Sequence, residues 1–121
     1  QRINGDFASA IETLETALLR AKPETDREQE QLKMYLLGTY YFAGSPDMLK
    51  EGIRVTQDFI QKEGMESLYC YFMGLFNRKL YQMLQDGVYK SEANRWFLSC
   101  RLEPDMVDEL RSEGLYDPLL E

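Results

Sequence analysis

Few residues in this chain could carry out catalysis. It contains two cysteines, Cys70 and Cys100, and no histidine, which excludes the usual Cys/His zinc sites and an imidazole general base. The sequence has no glycine-rich phosphate loop and no nucleophile motif, and the charged turn at 26–30 is most simply a solvated helix face. We expect a non-catalytic protein with no metal and no cofactor. A small helical enzyme that uses carboxylate, Tyr or Lys groups is the alternative.

Both cysteines lie among apolar neighbours, where helices are expected to pack. Their spacing matches no metal motif, and a buried, unpaired cysteine commonly serves as a small apolar side chain. We expect two structural thiols, with a redox role as the alternative. The compartment is expected to be reducing, that is, intracellular and cytoplasmic, with an organelle surface as an alternative.

The net charge of −7 argues against nucleic acid or an anionic membrane as the main partner, because phosphate binding requires clustered Lys and Arg. Most of this charge lies near the C terminus, since the segment 103–121 holds seven acidic residues and one Arg. The longest apolar stretches, 34–44 and 68–76, reach about half of the roughly 20 residues that a membrane-spanning helix needs. No membrane insertion of this chain is expected.

Apolar residues that recur at steps of three and four predict six helices and no strand. Capping residues, Pro and Gly mark the expected boundaries. The first helix is predicted from an N-cap at Asp6 to Pro23, and the second from a polar link at 24–26 to Ala43. The third is predicted from Ser45 and Pro46 to Gly64, and the fourth from Met65 to a long, loose turn at 82–89. The fifth is predicted from Ser91 to Pro104, and the sixth from Asp105 to Ser112, before Gly114.

Parts of this pattern recur along the chain. Ala10, Gly52 and Ala93 are small residues at equivalent helix positions, about 40 residues apart, and Leu37-Gly38 is echoed by Met73-Gly74. Such periods indicate helical repeats, whose apolar faces are buried only when neighbouring units stack.

The repeated residues resemble the tetratricopeptide (TPR) family and its longer Sel-type relatives. Leu37, Gly38 and Tyr41 match the first helix of a unit. The matches in the second helices are Ala10, Leu14, Ala17 and Pro23 in the first unit and Ala93, Phe97, Cys100 and Pro104 in the last. Asn77 in place of Tyr and Gly64 in place of Pro depart from the pattern.

The resemblance implies an all-α fold, a TPR-like antiparallel helix-pair solenoid (α-α superhelix) with a C-terminal capping helix. Residues 1–104 would form the repeats and 105–121 the acidic capping helix and tail. Because the chain begins at Gln1 inside what resembles a repeat, we expect a trimmed fragment with a truncated first unit. The phrases at 47–53 and 103–104 also resemble the cytosolic domain of the mitochondrial fission adaptor family.

In TPR-like stacks the first helix of each pair lines a concave groove. The resemblance places six residues in an apolar groove with a basic rim: Tyr35, Thr39, Phe42, Tyr71, Leu75 and Arg78. We expect them to bind a partner protein, as a peptide or an amphipathic helix, with Arg78 or Lys79 meeting a carboxylate. The alternative is that these side chains are core, covered by a preceding helix or by the C-terminal tail.

The predicted function is therefore a non-catalytic scaffold or adaptor that binds another protein. One alternative is a structural or homo-oligomerising domain whose groove is self-occupied. A membrane-organelle adaptor of the fission type is another. The acidic tail is expected to cap the repeats, or alternatively to fold back over the groove or bind a basic partner.

Overall fold

The computed structural model describes residues 2–20 and 26–119. Within them the chain forms six helices and no strand, which confirms the predicted all-α class. The helices are α1 (Arg2–Arg20), α2 (Asp26–Ala43), α3 (Pro46–Glu63), α4 (Ser67–Leu84), α5 (Gly87–Leu98) and α6 (Pro104–Ser112). In this part of the chain no helix is both long and apolar enough to cross a bilayer.

The turn between α2 and α3 follows the predicted capping chemistry. The Ser45 hydroxyl accepts a hydrogen bond from the Met48 backbone N–H at 3.2 Å, and Pro46 occupies the first turn, where its missing N–H costs nothing. At the other end of α3, Gly64 adopts a φ of 96° and its N–H donates to the Ile60 carbonyl. These contacts confirm both predicted boundaries of α3.

The boundaries predicted at Asp6 and Pro104 are wrong. Helix α1 already includes Asp6, which is therefore not its N-cap; the predicted end at Pro23 lies outside the described residues. Pro104 begins α6 instead of closing α5, which ends at Leu98, because a residue without an N–H suits the first turn of a helix.

The loose turn predicted at 82–89 is also wrong, because α4 and α5 are separated by only two residues. Gln85 adopts a left-handed conformation and donates its N–H to the Tyr81 carbonyl, while the Asp86 side chain accepts from the Val88 N–H. Gln85 and Asp86 thus provide hydrogen bonds for backbone groups at the end of α4 and at the start of α5, so a longer loop is not needed.

Contacts between side chains set the direction of the helices. Lys33, early in α2, pairs with Glu63 at the end of α3, and the ring of Phe59 in α3 lies 5.6 Å from that of Tyr69 at the start of α4. Lys90 in α5 lies over the ring of Tyr81 in α4. Each helix from α2 to α5 is therefore antiparallel to the next.

Helices α2 and α4 also touch, although they are not consecutive. Lys79 of α4 donates from Nζ to the Tyr41 carbonyl at 3.0 Å and lies over the Tyr41 ring. Tyr41 belongs to the last turn of α2, whose carbonyls have no partner within the helix. Lys79 thus caps α2 and ties the C-terminal ends of two parallel helices together.

The buried side chains form two clusters. The larger joins α1 to α4 around Leu37, Tyr40 and Phe76, and the smaller joins α4 to α6 around Phe97 and Leu110. Residues with essentially no exposure include Leu36, Leu37, Leu49, Phe76, Leu80, Ala93, Phe97 and Leu110. Segment 105–119 therefore packs on the same body as the preceding helices.

Two glycines allow close helix approaches. A Cβ on Gly52 would lie 2.6 Å from the Phe76 ring, and one on Gly74 would lie 2.6 Å from the Phe97 ring. Ala10, which the repeat pattern equates with Gly52, is exposed. The close crossing is thus present at Gly52 and absent at Ala10.

Candidate functional site

The first turns of α4 and the corner between α5 and α6 enclose an open cleft of about 550 Å³. Its volume is in the usual range of ligand pockets, about 300–1,000 Å³. The corner arises because α5 ends at Leu98 and Pro104 starts α6 after a short connection. The lining residues are Ser67, Leu68, Tyr71, Arg101, Leu102, Glu103, Asp105, Met106 and Glu109.

The walls of the cleft are apolar. Leu68, Leu102 and Met106 are half-buried, and Tyr71 is positioned by its ring contact with Phe97, at a centroid distance of 6.3 Å. Burial raises the pKa of the Tyr71 phenol, so this side chain is neutral at physiological pH. Such walls fit an apolar side chain better than a charged one.

The rim of the cleft is mainly acidic. Glu103 and Asp105 are exposed, and neither forms an ion pair with any cation in the described part of the chain. Glu109 lies 3.6 Å from the Arg78 guanidinium and remains 55% exposed. Arg101 is the one cation among the lining residues.

A few polar contacts hold α6 and the following residues in place. The Arg78 Nε donates to Glu113 at 2.8 Å, and its second nitrogen also pairs with that carboxylate. Asn94, buried in α5, donates from its side-chain amide to the Asp117 carbonyl and accepts from the Asp117 N–H. These contacts, with buried Leu110 and Leu115, fix the wall that α6 contributes to the cleft.

The α4 half of the predicted groove lies against these C-terminal residues. Tyr71 and Leu75 pack on the smaller cluster, and the Arg78 side chain, only 17% exposed, is paired with Glu109 and Glu113. Lys79 donates a hydrogen bond to the Tyr41 carbonyl at the end of α2. The two cations of the predicted basic rim are thus already bound within the chain. This arrangement corresponds to the alternative in which the C-terminal tail covers these side chains.

The α2 half of the predicted groove is open. Tyr35 is 57% exposed and Phe42 is 70% exposed. Thr39 lies between them, half-buried, and its hydroxyl donates to the Tyr35 carbonyl at 2.7 Å. The three predicted residues on α2 thus lie on an open surface, whereas the three on α4 are partly covered. Of all six, Tyr71 alone lines the cleft.

Both cysteines are buried and unpaired, as predicted. Burial raises the pKa of the Cys70 thiol, and it raises the pKa of Cys100 to about 12. Because the thiolate is the nucleophile, neither side chain is activated at neutral pH. Among the described residues, no group of three or more acidic or Cys side chains could hold a metal ion.

A second polar site involves Lys33, which is only 7% exposed. Its ammonium pairs with Glu63, and the other oxygen of that carboxylate accepts from the Tyr69 hydroxyl at 2.9 Å. Desolvation and Glu63 raise the pKa of Tyr69, which keeps it a hydrogen-bond donor. This network joins three helices, so its first role is structural.

Sequence reasoning missed most of the cleft. Leu68, Leu102 and Met106 were not predicted as site residues, and the signal for them was weak. The apolar face of α6, with Met106, Val107 and Leu110, favoured the expected capping helix that packs against the body. It could not have shown that only Leu110 is fully buried while Met106 remains at the cleft.

Comparisons with protein-family models, curated proteins and solved structures gave no match to this chain. The functional conclusion therefore depends on the cleft and on the residues around it.

Proposed function

We propose that this chain is a non-catalytic protein-interaction module that binds a partner peptide or helix in the cleft between α4 and α6. The observation that carries this proposal is the cleft itself, with apolar walls at the surface and about 550 Å³ of space. An open apolar cleft with a polar rim is typical of sites that take one or two anchoring side chains of a peptide.

The arrangement of α2 to α5 supports a TPR-like organisation as part of this proposal. The pairs α2–α3 and α4–α5 are antiparallel, and α2 and α4, the first helices of the two pairs, lie side by side. We propose that these pairs are repeat units and that α6 is the capping helix. In this arrangement α6 narrows the groove and leaves the partner an entry beside Tyr71.

The surroundings of the cleft give little support to catalysis. Its titratable groups are Tyr71, Arg101 and three carboxylates, and no nucleophile with an adjacent base lines it. The two free, buried thiols are in keeping with an intracellular, reducing compartment. Together these features favour an adaptor over an enzyme.

Selection of peptides tests the proposal. Random short peptides displayed on phage are selected on the whole chain, and the recovered sequences are mapped by NMR chemical-shift perturbation. We expect the shifts to centre on Leu68, Tyr71, Leu102 and Met106. Peptides that shift only residues elsewhere, or a library that yields no binder, would contradict the proposed site.

A variant adds a second readout. Met106→Glu places a charge on the apolar wall and should weaken the selected peptides about tenfold or more, because the carboxylate would be desolvated on binding. Val88→Glu is the matched control, since Val88 is 64% exposed and lies outside the cleft. If Met106→Glu does not fold, the NMR map of the unchanged protein still shows whether the selected peptides bind in the cleft.

Self-association is the second candidate, favoured by the exposure of Tyr35 and Phe42 on α2. It predicts a second copy of this chain on that helix, and hence a sedimentation coefficient that rises with concentration. Phe42→Ser would abolish the rise. A constant value for a 14.2 kDa species would leave partner binding in the cleft as the proposed function.

A further inference from the structure

The charges around the cleft restrict the kind of partner. Three of the four charged lining residues are acidic, and two of these, Glu103 and Asp105, have no ion-pair partner among the described residues. The third, Glu109, shares Arg78 with Glu113, so its charge is partly compensated. Arg101 is the fourth charged lining residue, so three carboxylates and one cation give the cleft a net charge of −2 beside its apolar walls.

Two helices begin at the cleft, and the positive ends of their dipoles oppose the negative charge of the carboxylates. Ser67 begins α4 and Pro104 begins α6, and each helix N-terminus carries roughly half a positive charge. Together with Arg101, these two contributions offset about two of the three lining carboxylates, and the rim keeps a net charge of about −1. The net charge of −7 over the whole chain adds a field of the same sign, which attracts cations from a distance.

The position of the charges relative to the apolar walls suggests a sequence pattern. Leu68, Tyr71, Leu102 and Met106 would contact an apolar anchor, and Glu103 and Asp105 stand at the edge of the same cleft. A peptide that fills the walls therefore brings its neighbouring residues to the two free carboxylates. Lys or Arg at those neighbouring positions would gain charge-assisted contacts.

We infer that the partner segment is basic: an apolar or aromatic anchor that enters the cleft, flanked by Lys or Arg side chains that meet Glu103 and Asp105. This inference deepens the proposed function and depends on it. It replaces the expectation that Arg78 meets a partner's carboxylate, because Arg78 is already paired within the chain. It favours the alternative in which the acidic C-terminal segment binds a basic partner.

The composition of the selected peptides tests the inference. Among phage-displayed random peptides whose NMR shifts map to the cleft, we expect Lys and Arg to be enriched next to a Leu, Phe or Trp. A synthetic copy of the best peptide in which each Lys or Arg is replaced by Glu should bind at least about tenfold more weakly at low salt, and the difference should shrink as salt is added.

Two double variants of equal charge separate a local effect from a general one. Glu103→Gln with Asp105→Asn should weaken the basic peptide about five- to tenfold. Glu12→Gln with Glu15→Gln removes the same charge from α1, which contributes no lining residue to the cleft, and should change binding less than twofold.

The possible failures are distinct. Cleft-binding peptides without basic enrichment, or a basic peptide that is equally weakened by both double variants, would overturn the inference and leave the proposed function standing. The absence of any cleft-binding peptide would overturn both.

Discussion

Gly74 and Gly38 occupy equivalent places in the repeat pattern but differ in the space around them. A Cβ on Gly74 would lie within 2.8 Å of three atoms of the Phe97 ring, whereas nothing lies within 4 Å of a Cβ on Gly38. The Phe97 ring is fully buried, so it has little room to move aside. The two positions therefore form a matched pair for a test of helix packing.

We expect Gly74→Ala to destabilise the chain by about 1–3 kcal/mol, because an added methyl group in a filled interface causes strain that exceeds the gain in helix propensity. Gly38→Ala should instead stabilise it, by up to about 1 kcal/mol. Urea unfolding monitored by circular dichroism measures both. Equal effects at the two positions would show that α4 and α5 are not in close contact at Gly74.

At the scale of the helices, sequence patterns predicted a good part of the fold. Six helices were expected and six are present in the described residues. The limits of α3 were predicted closely because Ser45, Pro46 and Gly64 act locally. A turn between α4 and α5 was predicted, but its short length was not. Gly87 resembles a helix breaker in sequence yet begins α5, and the Asp86 cap depends on the geometry of the turn.

The candidate site was less predictable than the fold. Its shape depends on the pairing of Arg78 with Glu113, two residues far apart in the chain. Many acidic residues could have met Arg78, and local patterns do not choose between them. The sequence marked Tyr71 as a site candidate, and Tyr71 lines the cleft, but the sequence left Arg78 free for a partner.

The attachment of α6 gives a prediction at the same scale. Glu113→Gln should weaken the contact with Arg78 and let α6 open more often, because a charge-assisted hydrogen bond to a mostly buried guanidinium contributes about 1.5–3 kcal/mol. Amide hydrogen exchange in α6 should then be about 10- to 100-fold faster, with α2 and α3 unchanged.

The matched control is Glu92→Gln, which removes an exposed pair with Arg95 within α5. Exposed pairs contribute about 0–1 kcal/mol, so this variant should leave exchange in α6 nearly unchanged. Similar exchange rates in the two variants would mean that Arg78 does not hold α6 in place.

At the scale of the whole molecule, buried phenols and thiols set the response to alkaline pH. Burial raises the pKa of Tyr40 from 10.0 to about 12 and that of Cys100 from 9.0 to about 12, and it also raises the pKa values of Tyr69, Tyr71 and Cys70. In each case the unfolded chain loses its proton at a lower pH than the folded one. The contribution of these buried groups to the free energy of unfolding is therefore complete below about pH 9. It is lost as pH rises through their pKa values in the folded chain.

We expect the free energy of unfolding to fall from about pH 9 upward, by at most about 1.4 kcal/mol per pH unit for each titrating group. Urea midpoints measured across the alkaline range, together with tyrosinate absorbance, test this. Tyr40→Phe should make the fall between about pH 10 and 12 less steep. An unchanged slope would show that Tyr40 ionises in the folded chain as readily as in the unfolded one.

The succession of antiparallel neighbours from α2 to α5 also bears on how the molecule folds. Most of its contacts join residues close in sequence, and such a topology favours folding in microseconds to milliseconds. The link from Arg78 to Glu113 joins α4 to the end of α6 across the whole of α5, so we expect it to form after α4 and α5 have paired. Glu113→Gln should accordingly speed unfolding and leave the folding rate nearly unchanged. The cleft would then reach its native form only after α4 and α5 have paired.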